Sequence, residues 1–244
     1  LLYWDVNVYG SINLLRVMNS YACRKIVFSS SATIYGASEN YNLDENADIK
    51  PINPYGTNKV AIEHLLKDIF KSSSEEWHIR NLRYFNPIGA HPSGLIGEDP
   101  LGIPNNIFPF ITKVAAGKLK KLNVFGNDWP TADGTGVRDY IHVMDIAEGH
   151  IAALQSCEEE KPQCLSINLG TGKGYSVLEI ISAYEKVSGK KIKYRLCSKR
   201  SGDVPIIFAD NKKARKVLNW ESKRDILDMC RSSWQWQLEN PDGY

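Results

Sequence analysis

The sequence predicts an α/β fold with a doubly wound parallel sheet, and the apolar residues of its first half support this in two ways. Residues 7–21 carry apolar side chains at helical spacing, with Ile12, Leu15 and Met18 on one face. The continuous apolar run at residues 25–28 is typical of a strand in a parallel sheet, because such strands are buried on both faces. A strand, a helix and another strand at this spacing imply right-handed crossover connections within one sheet.

The remaining elements follow in chain order from the same patterns. A second helix is predicted to begin at Pro54, since proline suits the first helical turn, and a second strand covers residues 79–85. Further helices are predicted at residues 107–117, 145–156 and 177–188, the last with Ser176 as its N-cap, and a terminal helix ends near Leu238. Further strands are predicted at residues 166–169 and 192–196.

Two stretches rich in glycine and proline, residues 86–106 and 126–138, predict long irregular segments rather than helices or strands. Apolar residues recur through the first stretch, which indicates an ordered loop. Loops of this length in a compact domain are usually functional, so we expect both stretches to contribute to a site.

The composition excludes several classes of function. The chain has 30 Lys and Arg against 28 Asp and Glu, and the formal net charge of +2 provides no electrostatic footprint for nucleic acid. No apolar run approaches the ~20 residues of a membrane span, so we expect neither nucleic acid nor a membrane as a partner. The 5 cysteines include no C-x-x-C pair and are expected to be reduced, which favours a cytoplasmic location.

One group of potential metal ligands, His142, Asp145, Glu148 and His150, is interpreted as structural. The backbone is expected to change from strand to helix between His142 and Asp145, so the four side chains need not converge on one point. No metal site is therefore predicted.

Tyr55 and Lys59 are the first candidates for chemistry. Residues four apart in a helix lie on one face, and this pair shares its face with the apolar Ile62 and Leu66. A lysine is costly to bury, and a cation beside a phenol lowers the phenol pKa from its ordinary value of about 10, as a general base requires. The pattern is short, however, and a core tyrosine beside a lysine that extends to solvent explains it more simply.

Ser31 supplies the context for this pair. It follows the strand at residues 25–28, at the carboxyl end where open α/β sheets place their ligands, although serines there are also common as turn residues. A serine after a strand, followed by a tyrosine and a lysine at the start of the next helix, resembles the active-site pattern of the short-chain dehydrogenase/reductase superfamily.

A closer resemblance covers almost the whole chain in order. The motifs are FSSSATIYG at residues 28–36, NPYG at 53–56, RYFNPIGAHPSG at 83–94, GEDP at 97–100, IPNN at 103–106, the stretch 126–145, and WQWQ and NPDGY at 234–237 and 240–244. On these motifs the chain is identified as a member of the UDP-glucose 4-epimerase family.

The resemblance implies an enzyme that interconverts UDP-galactose and UDP-glucose on tightly held NAD, through a 4-keto intermediate. Tyr55 would take the proton of the sugar 4-hydroxyl while hydride leaves C4 for the nicotinamide. Lys59 would lower the tyrosine pKa and hold the nicotinamide ribose, and Ser31 would share the hydrogen bond to the 4-oxygen. Phe85 and Asn7 would complete the cofactor contacts.

The resemblance also implies a set of substrate contacts. Arg138 and Arg200 would bind the UDP diphosphate, for which bidentate guanidinium groups are suited, and Asp203 would accept from the uridine ribose. The uracil would lie against Asn123, Val124 and Phe125. The remaining contacts, to the sugar and the diphosphate, would come from Ser31, Ala32, Thr33, Tyr84, Phe85, Asn86, Asn105, Asn106, Ile107 and Ile207.

Three alternatives remain at this point. A 4,6-dehydratase of the same superfamily is disfavoured, since such enzymes carry Thr-Asp-Glu where this chain has Ser31, Ala32 and Thr33. A UDP-N-acetylglucosamine 4-epimerase stays open, because Ile207 stands where some relatives have a bulky aromatic residue beside the sugar. A non-catalytic UDP-sugar-binding protein is disfavoured, because a pure binder has no use for a cation beside a phenol.

The resemblance implies a Rossmann-like sheet with a smaller α/β C-terminal domain for the substrate. Residues 1–86, joined by about 137–170, would form the C-terminal part of the NAD-binding domain, and residues 87–136 and 171–244 the UDP-sugar-binding domain. The chain begins with Leu1 and contains no G-x-x-G-x-x-G motif for the pyrophosphate. We therefore expect an N-terminally truncated sequence that lacks the first strands, and a homodimer for the full-length protein.

The 244 residues expressed alone are expected to bind no NAD and to show no epimerase activity, because the pyrophosphate-binding turn is not among them. The measurement is the NAD content of the purified chain, with the product of the full reading frame as the control. Stoichiometric NAD in the 244-residue chain would contradict this expectation.

Overall fold

The computed structural model describes residues 1–38, 40–104, 106–200 and 202–244. The helices are α1 (Gly10–Ser20), α2 (Pro54–Ser72), α3 (Ile107–Ala115), α4 (Val143–Glu159), α5 (Val177–Ser188), α6 (Lys212–Leu218) and α7 (Ile226–Glu239). A π-helical turn at Trp4–Tyr9 precedes α1, and a 3-10 turn covers Ala32–Ile34. The strands are β1 (Lys25–Ser31), β2 (Asn42–Leu43), β3 (His78–Tyr84), β4 (Asn86–Ile88), β5 (Leu122–Phe125), β6 (Val137–Arg138), β7 (Tyr140–His142), β8 (Cys164–Leu169), β9 (Tyr175–Ser176), β10 (Tyr194–Cys197) and β11 (Ile206–Ala209).

The chain divides into two compact units. Unit 1 consists of Leu1–Phe85, Glu148–Leu169 and Ala209–Glu221. Unit 2 consists of Asn86–Ala147, Gly170–Phe208 and Ser222–Tyr244.

Unit 1 is built on a parallel sheet with the strand order β1-β3-β8. The register places Ser31 opposite Tyr84 at the carboxyl end of β1 and β3. Helices α1 and α2 cover the sheet through a core that includes Leu15, Ile62, Leu66 and Ile79. Helix α2 packs on β1 and β3, and its first turn lies at the carboxyl end of these strands, beside the three serines that end β1.

Unit 2 combines short strand pairs with three helices. The pairs β10-β5, β4-β7 and β11-β6 are parallel, and β9 pairs with β6 in the antiparallel sense. Helices α3, α5 and α7 pack against one another around a core that includes Phe108, Ile111, Tyr184 and Met229. None of the described helices is long and apolar enough to cross a membrane.

The α/β class with parallel sheets is confirmed. Helix α5 has the predicted bounds, because Ser176 and Glu179 form a capping box at its start and Gly189 takes a left-handed conformation at its end. The prediction of an irregular segment over residues 86–106 is wrong at its first residues, which form β4. This strand has 3 residues and depends on pairing with β7, about 50 positions away, so no local periodicity announces it.

Candidate functional site

Three consecutive serines at the end of β1 in unit 1 each have different partners. The Ser29 carbonyl accepts from the Lys59 Nζ at 2.8 Å. The Ser30 hydroxyl donates to a Glu63 carboxylate oxygen at 2.5 Å. The Ser31 hydroxyl accepts from the Thr33 backbone N–H at 3.2 Å and from the Thr33 hydroxyl at 3.0 Å. The strand end is therefore fixed at every residue by a specific polar contact.

Ser31 retains one hydrogen-bonding role. A hydroxyl offers one donor and two acceptor positions, and both acceptor positions of Ser31 are used by Thr33. Its hydrogen is left to donate, and the interaction of Ser31 with the Tyr55 hydroxyl lowers the pKa of that phenol. The arrangement suits donation to an oxygen that gains negative charge.

The start of α2 brings Tyr55 to this strand end. Asn53 caps the helix by accepting from the Gly56 N–H at 2.8 Å, and Pro54 occupies the first turn. A Cβ atom at Gly56 would lie 2.9 Å from the Thr33 carbonyl oxygen, so only glycine allows the 3-10 turn to approach the helix this closely. The close approach explains why the NPYG motif contains a glycine next to the tyrosine.

The pKa of the Tyr55 hydroxyl is raised in this structure, chiefly by burial, while the hydrogen bond with Ser31 lowers it. The Lys59 Nζ lies 5.3 Å from the centroid of the Tyr55 ring. The net shift of the Tyr55 pKa in this chain is upward, and the expected effect of Lys59 on it stays a prediction.

Lys59 is a half-buried cation. Its Nζ donates to the Ser29 carbonyl and lies 5.0 Å from the centroid of the Phe28 ring. Burial lowers the pKa of the Lys59 ammonium, and within the described ranges no carboxylate forms an ion pair with it. An ammonium group has three donors, so Lys59 has donors left for the hydroxyl groups of a ligand.

Tyr84 and Phe85 follow at the carboxyl end of β3. The Tyr84 hydroxyl contacts the His150 Nε2 at 2.6 Å, and the Ser29 hydroxyl lies 3.3 Å from the same nitrogen. Burial is the main reason that the pKa of Tyr84 rises to about 12, so the residue stays a neutral phenol. Phe85 is 6% exposed and provides an apolar wall rather than a polar contact.

Asn7 lies in the π-helical turn and reaches the same helix. Its side-chain amide donates to the Asn58 Oδ1 at 3.4 Å. Asn58 is fully buried, and its own Nδ2 has no hydrogen-bond partner among the residues described. A bound ligand could accept a hydrogen bond from this buried amide, which is next to Lys59 in the sequence.

Unit 2 contains a cleft of ≈ 540 Å³. A cavity of this size is in the range of small-molecule sites. Nine residues named from the sequence line it, together with Trp129 and Tyr140, which sequence reasoning did not assign to the site. The nine are Asn86, Asn106, Ile107, Asn123, Val124, Phe125, Arg138, Arg200 and Asp203.

Two arginines and one aspartate give the cleft its charge. The Arg200 Nε and Nη2 donate to the Asp203 carboxylate at 2.9 and 3.2 Å, and the Arg138 Nη2 lies 4.0 Å from the same carboxylate. Burial lowers the pKa of the Arg138 guanidinium, and repulsion from the positive charge of Arg200 lowers that pKa further. Two guanidinium groups share one carboxylate, so the pair retains positive charge for an anionic ligand.

All four residues of strand β5 line the cleft, and their exposure alternates along the strand. Leu122 and Val124 are 3% and 1% exposed and belong to the unit 2 core, whereas Asn123 is exposed and Phe125 half-buried. The Arg200 guanidinium lies 4.9 Å from the Phe125 ring centroid. Val124 thus belongs to the core beneath the cleft, while Phe125 offers a ring face.

Among the described substrate residues that were named for unit 2, Ile207 does not line this cleft. It pairs with Arg138 across β11 and β6. Asn105 lies outside the described residues. Asn106 does line the cleft, and its side-chain amide donates to the Glu98 carboxylate at 2.9 Å.

Within the described ranges, no group of three or more His, Cys, Asp or Glu side chains is placed to hold a metal ion. His142 contacts the Ser232 hydroxyl at 2.9 Å, and Asp145 forms an ion pair with Arg224 at 2.5 Å. These two potential ligands thus have structural partners in unit 2.

Sequence reasoning missed Glu63, Arg83 and His150. The sequence does contain a signal for Glu63. It follows Lys59 by four residues and places a charge on the apolar face of α2, where a charged residue needs a partner. Arg83 was detectable as a charge inside a strand that is buried along most of its length. His150 carried no local signal, since only the tertiary fold brings it to Tyr84 and Ser29.

The family model described as GDP-mannose 4,6 dehydratase matches residues 1–233. UDP-glucose 4-epimerase 4 of Oryza sativa subsp. japonica is 54% identical over 244 residues. That alignment covers 100% of this chain and 66% of the rice protein, so the chain spans about two thirds of its length.

Two solved structures share the fold. The UDP-glucose 4-epimerase of Stenotrophomonas maltophila, with bound NAD and formylated UDP-arabinopyranose, has a TM-score of 0.96 and 46% identity over 99% of this chain and 71% of that one. The UDP-glucose 4-epimerase of Bifidobacterium longum, in complex with NAD+ and UDP, has a TM-score of 0.92 and 48% identity, with coverage of 99% and 71%.

Proposed function

The chain belongs to the UDP-glucose 4-epimerase family, and we propose that the protein interconverts UDP-galactose and UDP-glucose through a 4-keto intermediate. The observation that carries this proposal is the arrangement of Ser31, Tyr55 and Lys59. A hydroxyl donor, a phenol and a cation lie together at the carboxyl end of a parallel sheet, where acid–base chemistry at an alcohol carbon needs them.

The residues present in unit 1 fit the nicotinamide-ribose end of NAD. Lys59 has donors left for ribose hydroxyls, Asn58 has an unsatisfied amide beside Asn7, and Phe85 offers an apolar wall. NAD, when bound, supplies an acceptor for the hydride of sugar C4 and the donor that returns it. The relatives from Stenotrophomonas maltophila and Bifidobacterium longum contain NAD, which supports the same cofactor here.

Tyr55 serves as the proton acceptor in this mechanism. As the C4–H bond of the sugar breaks, the 4-hydroxyl proton moves to the phenolate form of Tyr55, which has first given its own proton to solvent, and a 4-ketone forms. Ser31 donates to the sugar 4-oxygen while the proton is in transit, because both of its acceptor positions are held by Thr33. In the return step Tyr55 gives the proton back, and hydride added to the opposite face of the ketone inverts C4.

The cleft of unit 2 is the proposed binding site for the UDP group. Its positive charge at Arg138 and Arg200 suits a diphosphate, and Asp203 can accept from ribose hydroxyls. The ring face of Phe125 suits the uracil. Unit 1 would thus hold the cofactor and the acid–base residues, and unit 2 the UDP-sugar.

Dehydration is the chemistry named by the matching family model, but the residues do not favour it here. Water elimination needs an acid and a base beside the sugar, and the positions after Ser31 are Ala32 and Thr33. Ala32 is 7% exposed and has no ionisable group. Epimerisation needs only the single proton acceptor that Tyr55 provides.

Ile207 leaves open a wider sugar range, with UDP-N-acetylglucosamine as the second candidate substrate. The position carries an aliphatic side chain on β11 rather than a bulky aromatic one, which would leave space beside the sugar.

We further propose a homodimer in the cytoplasm. Helix α1 exposes the apolar side chains of Leu14 and Val17, which a second copy would cover. All five cysteines are free thiols, as expected in a reducing compartment.

Replacement of Ser31 by Ala is expected to lower kcat for UDP-galactose by about 10²-fold near neutral pH, since a donor to the reacting oxygen is removed. The hydrogen bond with Ser31 lowers the Tyr55 pKa, so its loss raises that pKa. Because the rate rises as phenolate forms, the rising limb of the kcat–pH profile should move to higher pH.

The matched control is Ser31→Thr, which keeps the hydroxyl and should retain most of the activity. The assay follows UDP-glucose formation by the product of the full reading frame. An unmodified protein that forms no UDP-glucose would contradict the proposed function, and an unshifted profile for Ser31→Ala would contradict the role of Ser31.

Replacement of Arg138 by Lys is expected to weaken UDP binding by roughly 10- to 100-fold, because lysine keeps the charge but loses the bidentate geometry. Isothermal titration with UDP measures the effect on the product of the full reading frame. Arg231→Lys is the control, because Arg231 is an exposed partner of Asp228 in α7 and does not line the cleft. Equal affinities for both variants would show that the diphosphate binds elsewhere.

A further inference from the structure

A buried carboxylate, that of Glu63, lies next to the proposed acid–base residues of unit 1. Glu63 is 6% exposed and Arg83 is 4% exposed. The Arg83 Nε and Nη2 donate to the two Glu63 carboxylate oxygens at 3.0 and 2.7 Å, in a bidentate pair. Ser30 donates to the same carboxylate at 2.5 Å and Ser166 at 3.3 Å, so Glu63 accepts from three different strands.

The partners of Glu63 adjoin the proposed catalytic side chains in sequence. Ser30 stands between Ser29, whose carbonyl holds Lys59, and Ser31, which contacts Tyr55. Arg83 precedes Tyr84 at the end of β3, and the register places it opposite Ser30. Glu63 itself follows Lys59 by one helical turn on α2.

The network continues on the far side of Arg83. Its Nη1 donates to the Tyr35 hydroxyl at 2.9 Å and to the Glu45 carbonyl at 3.2 Å. The Tyr35 hydroxyl donates to the Asn168 Oδ1 at 2.6 Å. Burial raises the pKa of Tyr35 to about 12, so the tyrosine remains a neutral donor in this chain of hydrogen bonds.

Stability alone does not account for this arrangement. A buried ion pair is often no more stabilising than apolar residues of the same volume, because both charges lose their hydration. Unlike apolar packing, hydrogen bonds depend on orientation. The Glu63 carboxylate accepts four of them, so the strands that carry the donors can pack against α2 in only one arrangement.

We propose that Glu63 is a positioning residue that fixes the carboxyl ends of β1 and β3 against α2, and so sets the separation of Ser31, Tyr55 and Lys59. The inference rests on the proposed function. It assigns to the carboxylate no contact with substrate or cofactor. Glu63 affects the reaction indirectly. It holds Ser30 and so the positions of Ser29 and Ser31, and it holds the turn of α2 that carries Lys59.

The first test is Ser30→Ala, which removes one hydroxyl and leaves the ion pair in place. The expected result is a fall in kcat for UDP-galactose of about 10- to 100-fold, with a change in KM below about 2-fold, because misplacement affects the chemical step rather than binding. The rising limb of the kcat–pH profile should also move to higher pH, as Ser31 shifts from Tyr55.

The matched control is Ser156→Ala. Ser156 is a buried serine that accepts from Arg80, a buried residue of strand β3. Arg80 also pairs with Glu160, and its side chain donates to Ser156, Glu160 and the carbonyls of Ile79, Gln163 and Ser156 rather than to a serine of β1. This variant should lose similar stability and keep the kcat and pH profile of the unmodified protein.

The second test separates positioning from stability by replacing the whole pair, with Glu63→Leu and Arg83→Met in one protein. Apolar replacement of both partners removes the charges together, so Tm should stay near that of the unmodified protein while kcat falls. Equal kcat in this variant and the unmodified protein would overturn the proposal, as would equal kcat for Ser30→Ala and Ser156→Ala.

The two hypotheses fail in different ways. If the unmodified product of the full reading frame forms no UDP-glucose, the proposed function fails. If it is active and the Ser30 variant matches the Ser156 control in kcat and pH profile, the function stands and the positioning role of Glu63 is wrong. If the double variant does not fold, the serine pair decides between the two outcomes.

Discussion

The Glu63–Arg83 ion pair is the interaction that joins α2 to the parallel strands of unit 1. It lies where α2 crosses β1 and β3, and both members are almost fully buried. A carboxylate in this place would be costly if it were left unpaired, so the helix and the strands must meet in one register. The same register sets Ser31 opposite Tyr84 and carries Lys59 to the Ser29 carbonyl.

Each of the proposed catalytic groups near this pair forms a contact that fixes its position and leaves a hydrogen-bond donor or the phenol oxygen available for a ligand. Thr33 occupies the acceptor positions of Ser31, so Ser31 can only donate. The Ser29 carbonyl takes one donor of Lys59 and leaves the others. Burial raises the pKa of Tyr55 and the Ser31 hydrogen bond lowers it, so the neighbouring serine favours formation of the phenolate.

The sequence predicted those parts of the structure that depend on local pattern. Helix α5 was predicted at both ends, because its capping box and its glycine terminus are local features. Ser31, Tyr55 and Lys59 were found because a strand end and a helix start can each be read from neighbouring residues. Helix α6 and strand β11 were missed, since short elements carry too few apolar positions to show a period.

The parts that were missed depend on tertiary structure. Arg83 and Glu63 are 20 positions apart, and nothing local indicates that they pair. The upward shift of the Tyr55 pKa was not predicted either, because the burial that causes it depends on the fold and not on neighbouring residues. The cleft residues were named from family motifs alone, and the fold adds that Val124 belongs to the core and that Ile207 does not line the cleft.

In the proposed mechanism, one carbon of the sugar is oxidised and then reduced by the same hydride. The direct test uses UDP-galactose labelled with deuterium at C4 and the product of the full reading frame in ordinary water. We expect UDP-glucose that keeps the deuterium at C4, because the hydride leaves and returns without exchange. Loss of the label to solvent would contradict the mechanism, since it would mean that C4 is inverted by proton exchange.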